Sequence, residues 1–190
     1  MKIIALCGEA RHGKNTAADI IHNSLPQSRY VVKEFAFADG VRREARALGW
    51  NGLKDEKGRS LLQRIGEERR STDRQYWIHR LFRDMADFQY KGFQEFLGER
   101  ALVGVITDCR YINEIERVKK EGGKIWRILR TTPDGKLFDN DLTEEQRGHA
   151  SECEHKLYAG YDRIILASDL ETLESRVREA LQNLWWEGWL

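Results

Sequence analysis

The stretch that decides the fold runs from residue 2 to residue 16 and reads KIIALCGEARHGKNT. Its first part, Lys2–Cys7, is continuously apolar after the lysine, which is typical of a short strand covered on both faces in a parallel sheet. The second part, Gly8–Thr16, has the spacing Gly-x4-Gly-Lys, and a helical pattern begins at Lys14. Backbone N–H groups of such a loop converge on phosphate oxygens, so the stretch predicts a phosphate-binding loop. A glycine-rich turn with a surface lysine is the alternative.

The loop side chains have distinct expected roles. Lys14 would reach the β- and γ-phosphates of a nucleotide and neutralise charge on a transferred phosphoryl group. Arg11 and His12 could touch phosphate, although a loop histidine is commonly exposed, and we expect His12 to face solvent. Asn15 stands where Ser or Thr normally ligates magnesium, and its carbonyl oxygen could serve a cation that keeps most of its waters. Thr16 is expected to bond a phosphate oxygen.

Strands and helices alternate along the rest of the chain. Further strands are predicted at Tyr30–Phe37, Ala101–Thr107, Lys124–Arg130 and Arg163–Ala167. Helical patterns follow the first strand, occupy a long stretch from residue 59 to about 96, and end the chain from residue 170 to about 185. This alternation favours a three-layer α/β fold of about five parallel strands, with ligands at their carboxyl ends.

Two segments interrupt this pattern within a chain that we expect to form one domain. A helical insertion at about residues 50–98 is large enough to hold an acceptor, and it is broken near 71–73, where Thr72 or Asp73 could cap a new helix. A polar segment at about 131–150 contains Pro133 and Gly135 and is expected to form a mobile lid.

Composition limits the classes of function. The 190 residues suffice for a hydrophobic core, and the formal net charge is only +1, so no strong global field toward nucleic acid or a membrane is expected. An anion site must therefore be local. The cysteines Cys7, Cys109 and Cys153 lack the spacing of zinc sites or disulfide frameworks, which fits a reducing cytoplasm. No apolar run approaches the roughly 20 residues of a membrane span, so we expect a soluble protein.

Charged residues follow the second and third predicted strands. Asp39 could cap the next helix or lie near an acceptor, and the Arg42 guanidinium could bind an acceptor phosphate. Asp108 stands where a carboxylate can hold magnesium through water. Arg110 follows closely, and a simple surface pair with Asp108 is the alternative.

Several stretches, in this order and spacing, resemble successive motifs of the phage deoxynucleoside monophosphate kinase family. They are GEARHGKNTAAD (8–19), FAFADGVR (35–42), RSLLQRIG (59–66), ITDCRYINEIER (106–117) and HASE (149–152). The resemblance implies the nucleoside monophosphate kinase fold and transfer of a phosphoryl group from ATP, with Mg2+, to a deoxynucleoside monophosphate. It also implies a location in the host cytoplasm if the chain is phage-encoded.

The residues and the resemblance together give a candidate site. Catalytic roles are expected for Lys14, Asp39, Arg42 and Arg110. Contacts with ATP are expected for Gly8, Arg11, His12, Gly13, Lys14, Asn15, Thr16 and Arg130. Contacts with the acceptor are expected for Asp39, Arg42, Arg59, Gln63, Arg69, Arg70, Trp77 and Glu152. Contacts with magnesium are expected for Asn15 and Asp108, with Glu114 as a helix-start residue behind Arg110.

Plainer interpretations remain open for part of this set. The arginines between residues 59 and 70 could form a solvated basic face. Trp77 could stack on a base, although an aromatic residue in an amphipathic helix is more often in the core. Trp185, Trp186 and Trp189 could cover a core edge or form a homodimer contact.

Three functions fit the sequence. The first is a (deoxy)nucleoside monophosphate kinase, for which a closing lid would exclude water from ATP. The second is a kinase of the same fold that acts on hydroxymethylated pyrimidine in DNA, against which the near-neutral charge argues. The third is a nucleotide-sensing module without catalysis, which the unusual Asn15 would suit.

Overall fold

The computed structural model describes residues 1–53, 55–95, 98–139 and 153–190. These residues form one five-stranded sheet composed of β1 (Lys2–Cys7), β2 (Tyr30–Phe35), β3 (Ala101–Cys109), β4 (Lys124–Arg130) and β5 (Arg163–Ala167). The helices of the described residues are α1 (Lys14–Ser24), α2 (Phe37–Ala47), α3 (Glu56–Thr72), α4 (Tyr76–Glu95), α5 (Ile112–Lys120) and α6 (Leu170–Trp186). The predicted α/β fold with a parallel sheet is confirmed.

The strand order places β1 at the centre of the sheet. The order is β2-β3-β1-β4-β5, and β1 runs parallel to both of its neighbours, β3 and β4. Cys7, the last residue of β1, is in register with Cys109 on one side and Arg127 on the other. Connections leave the centre of such a sheet in opposite directions, which opens a crevice at the carboxyl ends of the strands. The predicted phosphate loop begins at this crevice.

Alternating side chains of β1 serve the two faces of the sheet. Ile4 and Leu6 are fully buried in a core shared with Ile21 of α1 and Val177 of α6. The intervening side chains point to the opposite face, where the fully buried Ile115 of α5 lies. A strand covered on both faces must be apolar at every position, which explains the unbroken apolar run in the sequence.

The chain divides into two compact units. One is formed by Met1–Glu34 with Leu97–Leu190 and holds the sheet, and the other is the helical unit Phe35–Phe96. The helical unit starts earlier than the predicted insertion of residues 50–98, because α2 packs against α3 and α4. That this unit holds an acceptor stays a prediction.

Trp77 lies in the core of the helical unit. Its side chain is 2% exposed, and its Nε1 donates a hydrogen bond to the carbonyl oxygen of Gly66 at 3.0 Å. A Cβ atom placed on Gly40 would lie 2.9 Å from the indole ring, so α2 approaches this ring closely. The burial is that of a core residue, which was the plainer of the two interpretations, and it leaves little of the ring surface for stacking on a base.

The predicted break between the two long helices occurs at Asp73. The helix α3 ends at Thr72, and the Asp73 carboxylate accepts a hydrogen bond from the backbone N–H of Gln75 at 2.8 Å. The side chain therefore satisfies a backbone donor just before α4, where no helical partner exists.

Two of the three C-terminal tryptophans cover an edge of the sheet unit. Trp185 donates to the hydroxyl of Tyr30, and Trp189 donates to the carbonyl of Gly122, both at 3.2 Å. Trp186 is 81% exposed. Within the described ranges, no helix combines the length and the apolar character that crossing a bilayer requires.

Replacing Trp77 with alanine should strongly destabilise the protein. The substitution removes a large buried ring and a buried hydrogen bond, which typically lowers the free energy of unfolding by about 3–5 kcal/mol. Trp186→Ala is the matched control, because an exposed ring should cost less than about 0.5 kcal/mol. Urea unfolding followed by circular dichroism measures both, and equal small losses would show that Trp77 is not a core residue.

Candidate active site

The loop after β1 wraps tightly because β4 lies very close to it. A Cβ atom on Gly8 would lie 2.4 Å from the carbonyl oxygen of Ile128, so only glycine fits there. The same residue has φ +142°, and Gly13, the N-cap of α1, has φ +87°. Both values belong to the region that glycine adopts without strain. Arg11 shares this geometry with φ 63°, as the chain turns back toward the helix.

Lys14 lies beneath the loop and is not a surface residue. It is 8% exposed, and its Nζ donates hydrogen bonds to the carbonyl oxygens of Gly8 at 2.8 Å and Glu9 at 2.7 Å. Desolvation by burial and, after it, the charge of Arg110 lower the pKa of the ammonium group to about 7, and Asp108 opposes the shift. Desolvation makes a charge here more responsive to a nearby anion than a lysine in water would be. The alternative of a surface lysine is wrong.

The expectation that His12 faces solvent is also wrong. The imidazole is 2% exposed, and its Nδ1 accepts a hydrogen bond from the backbone N–H of Arg130 at 3.3 Å. The ring of Phe138 meets it edge to face, with centroids 6.3 Å apart. Desolvation lowers the pKa of His12. The covering residues come from a segment more than 100 positions away, so no local pattern announces the burial.

The first part of the predicted lid folds back on β4. Thr131 and Leu137 form an antiparallel bridge, and the N–H of Phe138 donates to the carbonyl of Arg130 at 2.9 Å. The Arg130 guanidinium lies 4.3 Å from the Phe138 ring centroid, within the range of a cation–π contact. Residues 140–152, which include the rest of the predicted lid and the acceptor candidate Glu152, lie outside the described residues.

Asp108 and Arg110 stand at the carboxyl end of β3, which extends two residues beyond its predicted end. Glu114 is 2% exposed, and its carboxylate accepts hydrogen bonds from the N–H groups of Arg110 at 2.8 Å and Tyr111 at 3.2 Å. This arrangement satisfies orphan donors at the start of α5, as predicted for Glu114. Since Arg110 and Asp108 both act on the Lys14 ammonium, all three are neighbours at one edge of the sheet.

Protein ligands for a metal ion are few here. Across the part of the chain that the structure describes, no group of three or more His, Cys, Asp or Glu side chains could hold a metal. Asn15 is exposed on the first turn of α1, and Asp108 is half-buried near Lys14. A set this small suits Mg2+ only if the cation takes most of its ligands from phosphate and water.

The predicted acceptor residues Asp39 and Arg42 pair with each other in the helical unit. The N-cap of α2 is Ala36, so Asp39 is not the cap but lies in the first turn. Its carboxylate meets the Arg42 guanidinium at 2.6 Å, and both side chains are substantially exposed. An exposed pair of this kind contributes little to stability.

The other acceptor candidates form part of a mostly solvated face. Arg69 pairs with Glu44 at 2.9 Å and lies over the ring of Tyr76 at 5.4 Å. Arg59 and Gln63 are exposed on α3, and the Arg70 guanidinium lies across Gly66. Their contact with an acceptor stays a prediction.

His155 was absent from the sequence-based candidates, although the structure places it beside the loop lysine. It lies in a 3₁₀ turn, Glu154–Leu157, and is fully buried. Desolvation by burial and, after it, the charges of Arg127, Lys14 and Arg110 together lower the pKa of its imidazole to about 3. A single histidine in a polar segment has no spacing or periodicity that could have identified it.

No protein-family model matches this chain, and no curated protein matches it either. Among solved structures, it is similar to a protein from Chloroflexus aurantiacus J-10-fl described as a "putative kinase". The identity is 13%, 96% of each chain is covered, and the TM-score is 0.48.

Burial of Lys14 should make stability depend on pH. Between pH 7 and about 10.5 the unfolded lysine binds a proton that the folded one lacks, so the free energy of unfolding should rise with pH across this window. Below pH 7 Lys14 is protonated in both the folded and the unfolded state, so it no longer contributes to the change of the free energy of unfolding with pH. The difference between wild type and Lys14→Met, measured by urea unfolding from pH 6 to 10, should therefore grow with pH.

Lys136→Met is the control for this measurement, because its side chain is 82% exposed. A wild-type minus Lys14→Met difference that is flat across the window would show that Lys14 is not buried as described.

Proposed function

We propose that this chain is a phosphotransferase that moves the terminal phosphoryl group of ATP to a (deoxy)nucleoside monophosphate. The observation that carries the proposal is the buried Lys14 ammonium beneath a glycine loop that opens the helix α1. A desolvated cation and a helix N-terminus at one sheet edge form a site for a phosphate chain.

The loop carbonyls hold Lys14 ready for phosphate. In the free protein its ammonium donates to the oxygens of Gly8 and Glu9, which are neutral carbonyls. Charged phosphate oxygens accept stronger hydrogen bonds, so a bound nucleotide would draw these donors to itself and restore the charge on Lys14. Arg110 would add a second cation for the charge that develops during transfer.

Magnesium would be held mainly by the phosphates and water, with Asp108 and the Asn15 carbonyl oxygen as the protein's contribution. Its chemistry there is neutralisation of charge on the phosphate oxygens. The chain's own part is to hold these side chains at the loop edge, as the buried carboxylate of Glu114 does for the backbone of Arg110.

The acceptor would bind through cations of the helical unit. The Arg42–Asp39 pair is exposed, whereas in the Arg69–Glu44 pair the arginine is 52% and the glutamate only 18% exposed, so exchanging a carboxylate partner for an acceptor phosphate costs least at Arg42. A guanidinium fork binds the two oxygens of a phosphate better than a single carboxylate oxygen, which favours the exchange. Arg59, Gln63 and Arg70 are further candidates for these contacts.

A substrate panel tests the proposal. The protein is incubated with ATP, Mg2+ and each ribo- and deoxyribonucleoside monophosphate, and ADP and nucleoside diphosphate are separated by chromatography. We expect equal amounts of the two products with at least one monophosphate. Transfer only to DNA containing hydroxymethylpyrimidine would show that the acceptor is a base in DNA and not a nucleoside monophosphate. ATP binding without turnover would indicate a sensing module.

Lys14→Ala should lower turnover roughly 100- to 1,000-fold, because a preorganised charge acts on the transferring phosphoryl group. Lys120→Ala, which removes an exposed lysine from the last turn of α5, should leave turnover unchanged. Circular dichroism of both variants reports whether the fold is intact. Wild-type turnover in a folded Lys14→Ala protein would contradict the role assigned to the loop.

A further inference from the structure

The turn that carries His155 is held by three separate contacts, two of which reach the phosphate-loop edge of the sheet. The ammonium of Lys156 pairs with the Glu9 carboxylate at 3.2 Å. The carboxylate of Glu154 accepts a hydrogen bond from the N–H of Ile112 at 3.3 Å, at the start of α5. The hydroxyl of Tyr161 donates to the carbonyl oxygen of His155. These contacts fix the backbone of the turn and therefore restrict where the imidazole can point.

The imidazole itself has no hydrogen-bond partner among the described residues. Both Nδ1 and Nε2 of His155 are buried and unpaired. Arg127, whose Cα is in register with Cys7 just before the loop, has a buried Nε without a partner as well. Burying unpaired polar atoms costs free energy, and native structures contain few of them. An apolar side chain would fill the same space without this cost.

Cations surround the unpaired imidazole. Lys14 of the loop, Arg110 after β3, Arg127 of β4 and the adjacent Lys156 all act on it electrostatically and disfavour its protonation. His155 is therefore neutral, with one nitrogen as an N–H donor and the other as an acceptor. A neutral donor can join a cluster of cations without adding to their mutual repulsion. Among the described residues, the Glu9 carboxylate pairs with Lys156 and Asp108 acts on Lys14, but no anionic side chain bonds to either ring nitrogen of His155.

We propose that His155 is a phosphate ligand, and that its imidazole N–H donates a hydrogen bond to an oxygen of the nucleotide's phosphate chain beside Lys14 and Arg110. This inference rests on the proposed function, since it assumes that the phosphate chain occupies the loop. The free protein bears the cost of the unpaired nitrogens, and the bound phosphate removes it. Binding and stability should therefore respond in opposite directions when His155 becomes apolar.

The first experiment measures affinity and stability together. Inorganic tripolyphosphate is titrated calorimetrically into wild type, His155→Leu and His155→Gln, and the melting temperature of each is measured without anion. We expect His155→Leu to bind roughly 10- to 100-fold more weakly, because a hydrogen bond to a charged group is lost. Its melting temperature should be equal to or above that of wild type, because no unpaired nitrogens remain.

His155→Gln keeps an N–H donor and should recover part of the affinity. His79→Leu is the matched control, because it removes an exposed histidine from the helical unit and should change neither quantity. Unchanged affinity in a folded His155→Leu would overturn the inference while leaving the proposed function intact. If wild type does not bind tripolyphosphate, both the inference about His155 and the proposed function are wrong.

A spectroscopic measurement remains decisive even if the variants do not fold. The 15N resonances of the His155 side chain in wild type should shift on addition of tripolyphosphate, as a ring nitrogen gains a charged partner. Resonances that stay in place while the backbone amides of Gly13 and Lys14 shift would show that the anion binds the loop without His155, which overturns the inference.

Discussion

The rest of the site depends on the hydrogen bonds that the buried ammonium of Lys14 donates to the carbonyl oxygens of the loop. A charged group can lie beneath the loop only if carbonyl oxygens replace its water, and the oxygens of Gly8 and Glu9 do so. Those oxygens are in place because the chain turns tightly at Gly8, against the carbonyl of Ile128. The central position of β1 brings Ile128 of β4 to one side of the turn and the end of β3 to the other. The burial of Lys14 therefore requires both the glycine at position 8 and the central place of β1 in the sheet.

A near-neutral protein can still present a strong local field. The formal net charge is +1, yet Lys14, Arg110, Arg127 and Lys156 all act on the single side chain of His155. The mutual repulsion of these cations raises the free energy of the protein without a bound anion. Partial burial strengthens the repulsion because the local dielectric constant is low. Under the proposed function, a phosphate chain at this edge would relieve the repulsion, which would favour highly charged ligands. The same charges spread over the surface would be screened by salt.

Patterns of apolar residues in the sequence predicted the fold well, but they could not predict contacts between residues that are distant in the chain. The bounds of β1, β4 and β5 agree with the sequence because each strand is a compact run with turn residues at its ends. The end of β3 was set two residues short, since Asp108 and Cys109 look like loop residues until Cys109 is in register with Cys7. His12 looked exposed because Phe138, which covers it, is distant in sequence. No sequence pattern identified His155, since the cations that act on it, Lys14, Arg110 and Arg127, come from distant parts of the chain.

The surface of the helical unit carries several arginine–carboxylate pairs. Arg42 pairs with Asp39, Arg43 with Asp84 and Arg69 with Glu44, so each guanidinium has a carboxylate of its own unit. In each pair at least one side chain is exposed to solvent, which limits the contribution of the pair to folding. The carboxylates nevertheless lower the local positive potential, which weakens non-specific attraction to a long polyanion such as a duplex. Under the proposed function, a small phosphate monoester needs only one or two guanidinium forks and would compete for them locally, so the pairing would favour a compact acceptor over an extended one.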